Sequence, residues 1–296
     1  METLTIVKPS VEIWKQKDYV EHIAKCARVC YKSEKANDDK LVENLKSKGH
    51  LSMFRHYSVY WLVPVKEIDK VLIDVSTIFD LFSSEYCQMS VDKKYYYFVT
   101  NEQYYLEHYA DLRYLDRFLV KEDDFINSSS TGREMRRITI KCVTQISTSR
   151  ELNRVSPNNI AEQSTRYVNF NKKGGSICAP HWMLNEVPDY CVEIDRYDLN
   201  NFEDYKNCPL KTYLTSCFNS FEDYNNLVIN KLLTPQDARG VLPLDTTTEC
   251  VYTYSIKEWK HIIDLRFYGI TGKPHPNAKI IAGMIRDKIN ELGYML

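Results

Sequence analysis

The stretch Arg137-Ile-Thr-Ile-Lys-Cys-Val-Thr-Gln145 is the clearest strand in the sequence, and it decides the fold class. Apolar and polar residues alternate along it with a period of two, which is typical of a strand with one buried face. Further strands are predicted at residues 3–7, 57–65, 165–170 and 247–254. Helical patterns separate these strands without regular βαβ alternation. The sequence therefore predicts an α+β fold in which helices flank a mixed sheet.

Apolar spacing and capping residues locate the helices. A first helix is predicted around residues 20–27, and a second around 41–45 that ends at Gly49. Residues 66–120 are predicted to be mostly helical, with a capping box at Thr100 and Gln103, and polar residues 121–132 to form a loop. Residues 185–208 are predicted to be an acidic loop. The remaining predicted helices are a long one over 210–221, one starting at Pro235, one from the Ser255–Glu258 capping box to Arg266, and one over 276–292 followed by Gly293.

Length and charge limit the classes of protein to consider. The chain has 296 residues and a formal net charge of −1, which argues against a strongly basic nucleic-acid-binding protein. The apolar runs are shorter than the roughly 18 residues that a membrane span needs, and the N-terminus does not resemble a signal peptide. We expect one domain over 1–296 with an insertion near 185–230.

Cysteine and glycine counts add two expectations. None of the nine cysteines lies in a Cys-x-x-Cys pair, so reduced thiols in a cytoplasm are expected. The many Tyr, Asn and Lys residues are typical of an AT-rich genome, and we expect the cytoplasm of a bacterium or of a phage-infected host. The nine glycines form no G-x-G, so side chains must hold any nucleotide phosphates. No metal site is expected, because His50 and His56 lack a third ligand at suitable spacing.

Three places in the sequence carry possible binding chemistry. Arg266 shares a helix face with Trp259, where a guanidinium needs a partner, although an arginine at a helix end is also stabilised by the helix dipole. The segment from Glu162 to Tyr167 offers hydroxyls, backbone N–H groups and an arginine to an anion, but it also fits an ordinary polar turn. Arg239 precedes a glycine where a helix breaks, and it could equally cap that helix.

Five ordered segments together resemble the flavin-dependent thymidylate synthases. The strand at Arg137–Gln145 and the stretch from Glu151 to Tyr167 align with the family's signature region without a gap. Arg239-Gly-Val-Leu-Pro243 is similar to its Arg-x-x-Leu-Pro motif. The other similar segments are Cys26–Glu34, Gly49–Ser52 with His56, and Lys257–Arg266 with His275.

The resemblance implies a function and a set of site residues. Members of this family methylate dUMP to dTMP with methylenetetrahydrofolate as carbon donor, FAD as reductant and NADPH as the source of electrons, in a site shared between the subunits of a homotetramer. It implies that Arg166, Arg239, Arg266 and Glu151 bind the nucleotide, and that Glu162, Ser164 and Arg266 act at the catalytic position. It places the flavin near His56, Arg154, His261 and His275.

The chain departs from the family pattern on the flavin side. Arg154-Val155-Ser156 stands where the family has Arg-His-Arg, while Arg55 replaces a glutamate and Arg150 a histidine. We expect Arg150 and Arg154 to share a helix face, and Arg150 and Arg55 to replace the lost arginine in binding FAD. Two alternatives remain open: a homologue that modifies another pyrimidine nucleotide, and a nucleotide-binding protein without catalytic activity.

Overall fold

Strand β7 at Arg137–Gln145 lies inside the central sheet of the protein. The computed structural model describes residues 3–31, 37–68, 75–155, 159–170, 174–187, 192–200, 209–229 and 233–296. The described strands are β1 (Thr3–Val7), β2 (Ser10–Trp14), β3 (Ser58–Pro64), β4 (Gln88–Val91), β5 (Tyr95–Asn101), β6 (Leu119–Val120), β7 (Arg137–Gln145), β8 (Ile160–Glu162), β9 (Gly175–Cys178), β10 (Val192–Asp195) and β11 (Thr247–Ser255).

The described α-helices are α1 (Tyr19–Tyr31), α2 (Asp38–Ser47), α3 (Val75–Leu81), α4 (Glu102–Glu107), α5 (Tyr109–Leu112), α6 (Glu122–Ser128), α7 (Ser130–Glu134), α8 (Ile146–Leu152), α9 (Arg196–Asn200), α10 (Pro209–Ile229), α11 (Pro235–Ala238), α12 (Ile256–Ile263) and α13 (Pro276–Glu291). Short 3-10 turns lie at Leu51–His56, Val65–Glu67, Arg113–Phe118, His181–Glu186 and Arg239–Val241, and a π-helical turn at Asp264–Tyr268. None of these helices is long and apolar enough to cross a membrane.

The central sheet has the strand order β2-β7-β11-β8, and all its pairs are antiparallel. Strands β7 and β11 pair along their full length, from Arg137 opposite Ser255 to Gln145 opposite Thr247. One face of the sheet buries Ile138, Ile140 and Cys142 against α12 and α13. This apolar face explains why the alternating pattern at residues 137–145 predicted the strand correctly.

Two further sheets complete the fold. The sheet β4-β5-β3-β6 is antiparallel. In the sheet β10-β1-β9, β1 pairs with β9 in parallel and with β10 antiparallel. An isolated bridge between Ile177 and Thr246 links β9 to the segment just before β11. The fold is therefore a mixture of helices with antiparallel and mixed sheets, which confirms the predicted α+β class.

Most helices with clear end signals form as predicted. Gly49 and Gly293 follow α2 and α13 with φ values of 69° and 84°, a left-handed conformation that glycine adopts without a steric penalty. Both hydrogen bonds of the Ser255–Glu258 capping box are present at the start of α12. These ends depend on local backbone chemistry, which the sequence shows directly.

Two predictions in the first half of the chain need correction. Residues 66–120 contain the expected helical segments, including α3, α4 and α5, but they also contain strands β4, β5 and β6, and Asn101 rather than Thr100 caps helix α4. The tyrosine-rich run of β5 has high strand propensity, and its pairing with β3 and β4 decides its conformation. Residues 121–132 form helices α6 and α7 instead of a loop. Phe125 anchors α6 in the core next to Tyr60.

Three predictions in the second half also need correction. The strand lies at β8, Ile160–Glu162, and residues 165–167 form a turn in place of the predicted strand. Residues 192–200 form β10 and α9 within the expected acidic loop, whose residues 188–191 and 201–208 lie outside the described part. The helix that reaches Arg266 changes to a π-helical turn after Ile263. The single domain and the insertion near 185–230 remain predictions.

Candidate functional site

A turn after strand β8 presents the residues predicted to bind a nucleotide phosphate. The backbone N–H of Gln163 donates to Glu249 of β11, and that of Ser164 donates to the carbonyl of Cys30 in α1. The Ser164 hydroxyl accepts a hydrogen bond from the backbone N–H of Arg166 at 3.2 Å. The start of the turn is thus fixed to the central sheet, while Arg166 is exposed.

Arg166 and Arg239 meet at this turn. The Arg239 Nη1 donates to the hydroxyl of Thr165 at 3.1 Å. The Arg166 Nε and Nη2 donate to the side-chain oxygen of Gln236 in α11, each at 3.4 Å. Both guanidinium groups are on exposed residues and can each offer further N–H donors to an anion. Tertiary structure therefore brings together two arginines that lie 73 positions apart in sequence.

Arg266 has within the protein the partner that a guanidinium on this helix face was expected to need. Its Nε donates to the backbone carbonyl of Glu151 at 2.9 Å, and its Nη1 lies 3.3 Å from the Glu151 carboxylate. Both residues were predicted to bind the nucleotide. The structure joins them as an ion pair that is partly buried, with Arg266 carried by the π-helical turn.

Glu162 is fixed by hydrogen bonds from two elements. Its carboxylate accepts from the hydroxyls of Ser149 at 2.7 Å and Thr248 at 3.2 Å, and from the Asn153 amide at 3.4 Å. Ser149 lies on α8, the same helix that carries Glu151. Helix α8 thus connects the Glu162 carboxylate to the Arg266 ion pair. A carboxylate oriented in this way can accept a hydrogen bond from a polar ligand.

A cavity of about 590 Å³ contains two of the predicted flavin-side residues. Arg154 and His261 both line it, and the Ser255–Glu258 turn at the start of α12 lies beside them. The volume is within the range of known small-molecule sites, roughly 300–1,000 Å³. The lining residues are Glu85, Tyr86, Cys87, Gln88, Arg137, Arg154, Val155, Ser255, Lys257, Glu258 and His261.

Arg55 borders this cavity through Tyr86. Its Nε donates to the Gln103 side chain at 2.7 Å, and its guanidinium carbon lies 5.5 Å from the centre of the Tyr86 ring. Tyr86 itself lines the cavity. Arg55 therefore places a positive charge next to the Tyr86 ring, which lies between the guanidinium and the cavity.

Besides Arg55, three predicted flavin-side residues do not line the cavity. His56 is completely buried, with its Nδ1 2.9 Å from the Thr253 hydroxyl, so its ring presents no surface to a ligand. His275 caps helix α13 and packs edge-on against His181. Arg150 is exposed on α8. The expected shared helix face of Arg150 and Arg154 is wrong, because α8 ends at Leu152 and Arg154 lies in the following turn.

The described cysteines are poor candidates for a nucleophile. They are free thiols, and Cys191 and Cys208 lie outside the described residues. Burial raises the pKa of Cys87 to about 11, and it also raises the pKa of Cys30. A thiol with a raised pKa holds little of the reactive thiolate near neutral pH. Cys30 and Cys87 are therefore poor nucleophiles near neutral pH.

Sequence reasoning missed most of the cavity lining, including Tyr86, Arg137 and Lys257. Tyr86 lies in the segment that was predicted to be helical. Arg137 begins a strand whose alternating pattern was interpreted only as evidence for a buried apolar face. The one available signal was the arginine itself, a charged residue at the start of the clearest strand in the sequence.

Comparisons with known proteins agree with the motifs. The family model described as thymidylate synthase complementing protein matches residues 127–291, more than half of the chain. The structure is similar to that of a UMP/dUMP methylase, PolB from Streptomyces cacaoi, bound with 5-Br dUMP, at 16% identity and a TM-score of 0.44 over 97% of this chain and 92% of that chain.

The same methylase bound with 5-Br UMP gives 14% identity and a TM-score of 0.45, over 97% of this chain and 91% of that chain. No curated protein matches the sequence. The matched residues include β7, the Glu162–Arg166 turn, Arg239 and Arg266. The chain therefore belongs to the thymidylate synthase complementing protein family, the family of flavin-dependent thymidylate synthases.

Proposed function

We propose that this protein is a flavin-dependent thymidylate synthase that converts dUMP to dTMP. The observation that carries the proposal is the meeting of Arg166 and Arg239 at the Ser164–Arg166 turn. Two arginines with free N–H donors beside a turn suit a phosphate, because guanidinium groups bind phosphate oxygens through paired hydrogen bonds. Family membership supports a pyrimidine nucleotide as the bearer of that phosphate.

In this proposal, α8 organises the rest of the nucleotide site. Glu162, held by Ser149, Asn153 and Thr248, accepts a hydrogen bond from the nucleotide. Arg266 holds Glu151 so that its remaining carboxylate lone pairs can do the same. These contacts orient the nucleotide, and orientation lowers the entropic part of the barrier to reaction.

FAD fits the cavity that Arg154 and His261 line. Arg154 and Lys257 offer positive charge to its phosphates, and Tyr86 offers an aromatic surface. When bound, FAD supplies the reducing equivalents for transfer of the carbon from methylenetetrahydrofolate, with NADPH as their source. The protein residues bind and orient these groups in a homotetramer located in the cytoplasm.

Two measurements on the purified protein test the proposal. FAD titration followed by absorbance reports whether a flavin binds. Product analysis with dUMP, UMP or dCMP, each with methylenetetrahydrofolate, FAD and NADPH, then identifies the substrate. We expect the protein to bind FAD and to form dTMP from dUMP. Methylation of UMP or dCMP alone would identify a synthase of another pyrimidine nucleotide, and nucleotide binding without flavin or product would identify a non-catalytic homologue.

A further inference from the structure

Arg137 is a buried guanidinium for which the described residues provide no acidic partner. It is 5% exposed, and its Nε has no hydrogen-bond partner among the described residues. Its Nη2 donates to the backbone carbonyl of Thr253 at 3.1 Å. Its neighbour Arg136, in contrast, is paired with Glu122 at 2.6 Å. A buried charge without a counter-ion has a high desolvation cost, so Arg137 is a candidate for binding an external anion.

The side chain of Arg137 lines the cavity of about 590 Å³, together with Arg154 and Lys257. Glu85 and Glu258 also line it, so the three cationic side chains exceed the acidic ones by one. Glu258 is already engaged, since its Oε2 accepts the backbone N–H of Ser255 at 2.7 Å. The charged side chains of the lining therefore sum to one positive charge, and Arg137 is the most buried of its cations.

We propose that Arg137 anchors a phosphoryl group bound in this cavity. The planar guanidinium can direct two parallel N–H donors at phosphate oxygens, and burial strengthens these hydrogen bonds relative to those of exposed arginines. Arg137 begins the strand that aligns with the family's signature region, but the resemblance assigns this residue no role in binding. The identity of the ligand rests on the proposed function, since the phosphoryl group belongs to either FAD or the nucleotide substrate.

Arg137→Met tests the anchor, with Lys141→Met as the matched control. Lys141 lies on the same strand, pairs with Glu249 at 3.2 Å and is not among the cavity-lining residues. The probe is inorganic pyrophosphate, and calorimetry measures its binding to the whole chain. We expect binding to weaken about thirtyfold in Arg137→Met, the effect of losing a charged hydrogen bond, and to stay within about twofold of the wild type in Lys141→Met.

Thermal unfolding without ligand separates anion binding from a structural role. Removal of an unpaired buried charge leaves the Tm of Arg137→Met equal to or above that of the wild type. A lower Tm together with unchanged pyrophosphate affinity would overturn the proposal. If Arg137→Met does not fold, Arg137→Lys replaces it: the charge remains but the paired donors are lost, so pyrophosphate binding weakens at an unchanged Tm.

FAD and dUMP titrations of the same variants identify the source of the phosphoryl group. If Arg137→Met weakens FAD binding and leaves dUMP binding unchanged, the phosphoryl group in the cavity belongs to FAD. If it weakens dUMP binding and leaves FAD binding unchanged, the phosphoryl group belongs to the nucleotide substrate. Riboflavin, which lacks phosphate, should bind wild type and Arg137→Met equally. Pyrophosphate binding through Arg137 without FAD or dUMP binding supports the anchor but contradicts the proposed function. No pyrophosphate binding to the wild type would overturn the anchor itself.

Discussion

Arg239 provides the most direct residue-scale test of the nucleotide site. Arg239→Ala removes donors from the Ser164–Arg166 turn, and we expect dUMP affinity to fall by about 1.5–3 kcal/mol, as for loss of a charged hydrogen bond. Calorimetry measures the change. Arg113→Ala, at another exposed arginine, serves as the control and should leave affinity unaltered. Unchanged dUMP binding in Arg239→Ala would remove this arginine from the site.

The flavin-side arginines give a second residue-scale prediction. Arg154 lines the cavity, whereas Arg150 is exposed on α8 and is not among the lining residues. Arg154→Ala should therefore weaken FAD binding by roughly 2 kcal/mol, about thirtyfold, and Arg150→Ala should have a much smaller effect. Flavin fluorescence measures both. An equal loss in the two variants would show that Arg150 replaces the missing family arginine after all.

The lowered pKa values of two buried histidines predict how they make the free energy of unfolding depend on pH. Burial lowers the pKa of His22 to about 4 and, together with nearby positive groups, that of His56 to about 3. Their rings share a buried network with Thr139 and Thr253. The unfolded chain takes up protons near pH 6.5 and the folded chain does not, so stability is lost as the pH falls from about 6.5 toward 4.

We expect each histidine to account for roughly 2 kcal/mol of unfolding free energy lost between pH 7 and pH 5. Urea unfolding at the two pH values measures this. His22→Gln should reduce the loss of unfolding free energy between the two pH values by roughly 2 kcal/mol, and His50→Gln, at an exposed histidine, should leave that loss unchanged. A pH dependence that is the same in both variants would contradict the assignment.

At the scale of elements, the π-helical turn at Asp264–Tyr268 places Arg266 against Glu151. Gly269 ends this turn with a φ of 71°, and a Cβ there would lie 2.8 Å from the carbonyl oxygen of Gly272. Gly269→Ala should therefore lower the unfolding free energy by at least about 1–2 kcal/mol.

Gly240→Ala is the matched control, because Gly240 has no positive φ and a Cβ there would meet no atom within 4 Å. Its effect should stay within about 0.5 kcal/mol. Denaturant unfolding measures the free energy of unfolding of both variants. Equal stability would mean that the segment after the turn relaxes around the added methyl group.

At the scale of the whole molecule, the predicted flavin-side residues do not meet within one chain. Arg154 and His261 share a cavity, while His275 lies beside His181 at the start of α13. A site shared between subunits explains this separation, and we expect a homotetramer. Light scattering should give about four times the 34.9 kDa chain mass. A monomer at micromolar concentration would contradict the shared site.

The sequence by itself determined the features that depend on local chemistry. Alternation predicted β7, and the capping box predicted the start of α12, because these signals lie in neighbouring residues of the chain. The strand at 247–254 was also predicted and is β11. The motif order predicted the family. Strand β5 was missed because its pairing with β3 and β4 depends on residues far away in the chain.

Only the tertiary structure decided which side chains meet. The sequence indicated that Arg266 needed a partner, but Glu151, 115 positions away, becomes that partner only when α8 packs beside the π-helical turn. From the sequence, His56 and Arg154 were both expected to lie beside the flavin. In the structure His56 is buried in the core and Arg154 lines a cavity. Arg137 became a candidate for anion binding because it is buried and no acidic side chain in the described part of the chain pairs with it. Burial and ion pairing are sums over many distant contacts, and so no local pattern encodes them.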